Sequence, residues 1–116
     1  MGHVTFAGAD DNMVTRQYSQ GRGPVLRSEN CEIARVFFAE GTGAEWHQHP
    51  EEQTFYCLEG KLEAWVGEDN YVVGPGEASW HPSNVPHKVH AHEDTLLISF
   101  KTREMTQIYE ATGELR

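Results

Sequence analysis

Between positions 31 and 101 apolar and polar residues alternate in short runs, broken by turn-forming residues at intervals of roughly 8 to 12 positions. The run from Cys31 to Ala39 is rich in β-branched and aromatic residues and is closed by Glu40-Gly41-Thr42-Gly43, which predicts a strand. Gln53 to Leu58 predicts a second strand, turned at Glu59-Gly60. Lys61 to Val66 returns as its hairpin partner, with Leu62, Ala64 and Val66 on one face and Lys61, Glu63 and Trp65 on the other. A ring as large as Trp65 on the polar face marks a subunit contact or a second packed layer. Residues 67–70 form a turn, Tyr71-Val72-Val73 a short strand, Gly74-Pro75-Gly76-Glu77 another turn, and Ala78 to His81 an approach to the segment Pro82–Pro86. From residue 87, His87, Val89 and Ala91 face in while Lys88, His90 and His92 face out. Leu96, Ile98 and Phe100 then share a face. Together these elements predict an all-β sandwich or barrel.

The ends are less regular. Val4, Phe6, Met13, Val14 and Tyr18 are scattered among polar residues, and Gln20-Gly21-Arg22-Gly23-Pro24 predicts a loop. After Thr102 the alternation is lost; Met105, Ile108 and Tyr109 have partial helical spacing, and Gly113 would stop a short helix.

At 116 residues the chain is read as one domain, 1–116, without internal repeat or linker. Nine basic against eighteen acidic residues give a net charge of −9, which repels phosphate backbones and anionic lipid surfaces, so nucleic acid and membrane are not expected partners. No run reaches the ~20 apolar residues of a membrane span, and the N-terminus lacks a signal pattern, so a cytoplasmic protein is expected. Of the two cysteines, Cys57 shares parity with Gln53 and Phe55 and is read as a buried small side chain.

Candidate chemistry concentrates between Gly41 and Gly60. On an extended backbone His47 and His49 point the same way while Gln48 points the other. Gln53 offers an amide oxygen with the same parity, and Val85-Pro86-His87 supplies a third imidazole. Three neutral imidazoles and one amide oxygen suit a single divalent transition metal: Ni, Fe, Zn, Mn or Co. A glutamine in place of a carboxylate leaves such a cation electron-poor and a stronger Lewis acid. The other histidines are assigned plainer roles: His3 to the leading arm, His81 to the approach strand, either behind the metal ligands or, by preference, exposed, and His90 and His92 to a solvated face. Trp46, Phe37, Phe55, Trp80 and Phe100 are candidates to line the mouth of the barrel, with Phe37 and Phe55 equally suited to the core. Arg103 is placed to meet a substrate carboxylate at the rim or to carry a solvated charge.

Residues 41–60 resemble the first cupin motif: Gly, five residues, His-x-His, three residues, an acid, six residues, Gly, with Gln53 standing where the acid is usual. Gly76, Pro82 and His87 match the second motif, which departs at Asn84, where Gly is usual, and at Ala91, where Asn is usual. The resemblance implies a cupin double-stranded β-helix, an RmlC-like jelly roll, whose motif-bearing barrel covers about 30–101. It also implies a leading arm that supplies an edge strand or a dimer contact, hence a homodimer. Within cupins, His-x-His-Pro-x-x-Gln followed by Val-Pro-His is similar to the KdgF-type pectin-degradation cupins, which act on 4,5-unsaturated uronates through a metal held by three His and one Gln. The resemblance implies His47, His49, Gln53 and His87 as metal ligands, and carries over Phe100 and Arg103 from an Asp-x-Phe and Arg-Glu pattern whose Asp is replaced by Ile98. The function it implies is a metal-dependent enzyme acting on a small oxygenated or carboxylated molecule, in the manner of a sugar-acid lyase or isomerase. The alternatives are a metal-dependent dioxygenase and a non-catalytic cupin that binds a small ligand.

Overall fold

A computed structural model describes residues 2–8, 11–13 and 18–103. A 3-10 turn at Phe6–Gly8 precedes ten strands: β1 (Asp11–Met13), β2 (Arg22–Arg27), β3 (Cys31–Phe38), β4 (Gly43–His47), β5 (Gln53–Glu59), β6 (Leu62–Val66), β7 (Asp69–Val73), β8 (Ala78–His81), β9 (His87–Ala91) and β10 (Thr95–Thr102). Every pairing is antiparallel. One sheet runs β1-β2-β3-β10-β5-β8 and the other β4-β9-β6-β7, and their facing sides make the jelly-roll interior. No helix among the described residues is long and apolar enough to cross a membrane.

The alternation in β5, β6 and β9 is seen directly. Leu62, Ala64 and Val66 are buried, as are Phe55, Cys57, Val89 and Ala91, and they pack with Val36, Phe38 and Leu97 into one cluster. Burying side chains the size of Leu62, Leu97 or Phe38 contributes about 1.5–3 kcal/mol each. The β6–β7 hairpin closes over two residues, Gly67 and Glu68, rather than four: Val66 pairs with Asp69, and Gly67 takes φ +58°, as the first central position of a type II′ turn requires. Trp65 is half buried because Lys88, its cross-strand neighbour on β9, holds its ammonium 5.4 Å from the ring centre.

The leading arm supplies edge strands, as the resemblance implies, but the loop expected at Gln20–Pro24 is in part strand β2, which pairs with β3. Gly23 makes that approach possible: a Cβ there would lie 1.7 Å from the Arg35 carbonyl oxygen. Arm residues 18–20 run beside β4, through a bridge between Ser19 and Ala44 and a bond from Glu45 N–H to the Tyr18 carbonyl. The short helix expected after Thr102 lies outside the described residues.

Two features set up the site. Ala44 pairs with Val89 and His47 with His87, so three steps on β4 oppose two on β9, and a bulge absorbs the extra residue. Without it Ala44 and His47 would face opposite sides; with it both face the interior. Just before β9 begins, Asn84 adopts φ +60°, a conformation that asparagine tolerates better than most residues, and its N–H bonds the His49 carbonyl at 2.8 Å. The asparagine thus does the work of the glycine usual at that place.

Candidate metal centre

His47 ends β4, His49 lies in the loop that follows, and His87 opens β9. One ring nitrogen from each lies within 4.8 Å of the others, so the three are placed to hold a metal ion. Each ring is held by its Nδ1–H, donated to a backbone carbonyl two residues away: His47 to Glu45 at 2.5 Å, His49 to Glu51 at 2.8 Å, His87 to Val85 at 2.9 Å. A carbonyl can only accept, so the proton belongs on Nδ1 and the lone pair on Nε2. The Nε2 atoms of His49 and His87 are buried with no hydrogen-bond partner, which is the signature of an atom reserved for a ligand. Burial depresses the basicity of all three rings, to about 3 for His47 and about 4 for His49 and His87. The positive charge of Lys101 pushes each in the same direction. Neutral imidazoles are therefore present well below pH 7.

Gln53, buried on β5, donates its amide N–H to Ser99 Oγ at 2.9 Å, which turns the amide oxygen away from β10. It lines a partly open cavity together with His47, Tyr18, Ser19, Phe55, Ser99 and core side chains. Three neutral nitrogens and a neutral amide oxygen suit a borderline divalent cation.

Trp46, Phe100 and Arg103 do not line that cavity. Trp46 sits in the bulge and is half exposed. Phe100 points outward, because the inward positions of β10 are Thr95, Leu97, Ser99 and Lys101. Ile98 is likewise off the interior face, and the β10 residue that meets Gln53 is Ser99. Arg103 donates to the Ser28 carbonyl at 2.6 Å. Phe37 and Trp80 also face out, the latter bonding Glu52 at 2.7 Å, whereas Phe55 is buried.

His81 takes the less favoured of its two readings, behind the ligands rather than exposed. It is fully buried, its ring stacked on His87 at 4.3 Å, and its Nε2 is paired with Ser79 Oγ at 2.8 Å, which in turn meets the Tyr71 hydroxyl at 2.7 Å. Burial lowers its basicity to about 2. His90 and His92 are on the outward face as expected, His92 bonded to Glu63 at 2.7 Å. Four further residues escaped the sequence reading. Tyr18 stacks on His47 with ring centres 3.6 Å apart. Glu51 is fully buried beside His49, and Lys101 and Glu32 form a buried ion pair at 3.6 Å. None carries a local motif; the inward parity of Lys101 with Ser99 was the one available signal.

The model of the cupin domain matches residues 34–99, more than half of the chain. The chain is a member of the cupin family. A curated relative, dimethylsulfoniopropionate lyase DddQ of Ruegeria pomeroyi, is 30% identical over 74 residues, which are 63% of this chain and 37% of that protein; the cupin thus spans about a third of its length. Among solved structures, an RmlC-like cupin from Shewanella frigidimarina superposes with a TM-score of 0.77 at 16% identity, covering 91% of this chain and 94% of that one. KdgF from Halomonas sp. superposes with a TM-score of 0.68 at 22% identity, covering 74% and 81%. These likenesses establish the fold.

Proposed function

We propose that this cupin is a metal-dependent lyase or isomerase acting on a small carboxylated molecule. The observation that carries the reading is the convergence of three imidazoles, two with buried and unpartnered Nε2 atoms, beside a partly open cavity lined by Tyr18, Ser19, Gln53 and Ser99. His47, His49 and His87 would hold the metal with Gln53. A divalent cation there supplies Lewis acidity toward a substrate oxygen. The rest falls to the chain. Ser99 fixes the Gln53 amide. Tyr18, stacked on His47 at the cavity wall, is the side chain we assign to proton transfer, since a phenol hydroxyl can both give and take a proton. Lys101, buried and opposite Gln53 on the neighbouring strand, lends the site a positive potential that its ion pair with Glu32 tempers.

Likeness to a dimethylsulfoniopropionate lyase supports elimination from a carboxylate-bearing substrate, and the ligand pattern shared with KdgF-type cupins supports 4,5-unsaturated uronates. The test begins with elemental analysis of protein purified without a His-tag, alongside His49→Ala. Stoichiometric divalent metal in the unmutated protein and its loss in the variant are expected; no binding by the unmutated protein refutes the reading. Metal-loaded protein is then given dimethylsulfoniopropionate and unsaturated uronates. Turnover that falls at least about a hundredfold in Tyr18→Phe supports the reading. Consumption of O2 points to a dioxygenase instead, and saturable ligand binding without turnover to a binding cupin.

A further inference from the structure

The cavity beside the histidines changes character along its length, and sheet register orders its walls. Gln53 pairs with His81 across β5–β8, and His47 with His87 across β4–β9, so both stand level with the chelating rings. One interior step further along β5 and β10, about 7 Å for two residues of strand, sets Phe55 beside Ser99. On β4 the next inward residue is Ala44, bridged by Ser19 of the arm. Beyond them lie Val36, level with Leu97, and Phe38, level with Thr95, which are only 2% and 1% exposed. Gly21 lies against the same two side chains, where an added Cβ would be 2.7 Å from Val36 Cγ1 and 3.0 Å from Phe38 Cζ, so that end is packed shut. Polar atoms therefore gather at the metal end and halfway along, while the closed end is hydrocarbon.

Resting on the metal-dependent reading above, we propose that the cavity selects a short-chain carboxylic acid whose far end is apolar. The carboxylate lies toward the metal end, and the tail runs past Ala44 and Phe55 to Val36 and Phe38. None of those four side chains offers a hydrogen bond. A hydroxyl carried past Ser99 would leave its water partners and find no replacement, which weakens binding. A methylene in the same place gains by leaving water. The two effects have opposite signs, so the wall discriminates by the polarity of the tail as well as by its size. Of the substrates named above, a uronate ring with hydroxyls along its edge is the poorer match, and an acid ending in an alkyl or thioalkyl group the better one.

Calorimetric titration of straight-chain acids into protein loaded with the divalent metal that elemental analysis returns tests the proposal. From acetate to valerate the affinity is expected to rise about fourfold per methylene until the chain meets the closed end. Valerate is expected to bind at least about fivefold more tightly than 5-hydroxyvalerate, which differs only at the tail. Val36→Thr, which puts a hydroxyl into the far wall at nearly constant shape, is expected to flatten the series. Ala44→Val, which narrows the way in with hydrocarbon, is expected to cut off the longer acids and serves as an independent variant if Val36→Thr does not fold. Full metal stoichiometry in either variant shows that the histidine site is intact. Loaded protein that binds acetate and valerate equally, prefers the hydroxy acid or binds none of the series overturns the proposal and leaves the metal site standing. Protein that takes up no metal refutes the reading above, and the proposal falls with it.

Discussion

Gln53 Nε2 donates to Ser99 Oγ across the β5–β10 pair at 2.9 Å, so the hydroxyl of one strand decides which end of the other strand's amide faces the histidines. Removing it frees the amide to flip. Ser99→Ala is expected to weaken metal binding about tenfold, within the range seen when groups behind metal ligands are removed, while leaving stability within about 1 kcal/mol. Titration with a competing chelator measures the first and urea unfolding the second. Affinity equal to that of the unmutated protein would show that Gln53 does not depend on Ser99.

Acid should act on the metal-free protein through its buried rings. Burial holds His47, His49, His81 and His87 near 3, 4, 2 and 4, below the ~6.5 of an unfolded imidazole. Below pH ~6.5 the unfolded chain therefore binds protons that the folded chain refuses, and stability falls as pH drops from there toward 4, by up to about 1.4 kcal/mol per pH unit for each ring. Urea midpoints at neutral and mildly acidic pH should decline steeply, and less so for His81→Phe. A flat profile would contradict the burial of these rings.

The carboxylate of Glu32 meets both Lys101 at 3.6 Å and Arg27 at 2.9 Å. Arg27 is half exposed and contributes little, but Lys101 and Glu32 are buried together, so Glu32→Leu takes from a buried ammonium the carboxylate it pairs with. A loss of roughly 3 kcal/mol is expected in thermal or urea unfolding. Double replacement, Glu32→Leu with Lys101→Met, should recover most of it.

Gly60 has φ +102°, and a Cβ there would lie 2.4 Å from the Asp94 carbonyl oxygen. Gly60→Ala should cost about 2 kcal/mol or more, through both backbone strain and the clash with β10. A melting temperature equal to that of the unmutated protein would show that the turn can re-form around a methyl group.

Much of this was legible in the chain itself. Strict alternation in Lys61–Val66 and His87–Ala91 gave strands and faces correctly, because one side of each is apolar and the other is not. His47 and His49 were singled out by their two-residue spacing, and His87 by its place in the second motif. β3 and β10 were harder, since both of their sides are apolar or the outer side is the greasier, and parity alone cannot say which row is inside; Phe37 and Phe100 were misplaced for that reason. Tyr18 was missed, and His81 was ranked as exposed, because nothing near them in sequence refers to His47 or His87. Their contacts are made by sheet pairing and by an arm 29 positions upstream.

The bulge in β4 makes the chelating triad depend on arithmetic as well as chemistry. Excising Glu45 alone would leave two steps between Ala44 and His47, and a regular strand would then keep both facing inward without a bulge; it is the three-step spacer held straight that would rotate the first imidazole out toward solvent. A homologue that keeps the odd spacer but loses the bulge could retain every ligand a pattern search looks for and still bind nothing, so the parity of the spacer says more about function than the presence of the histidines.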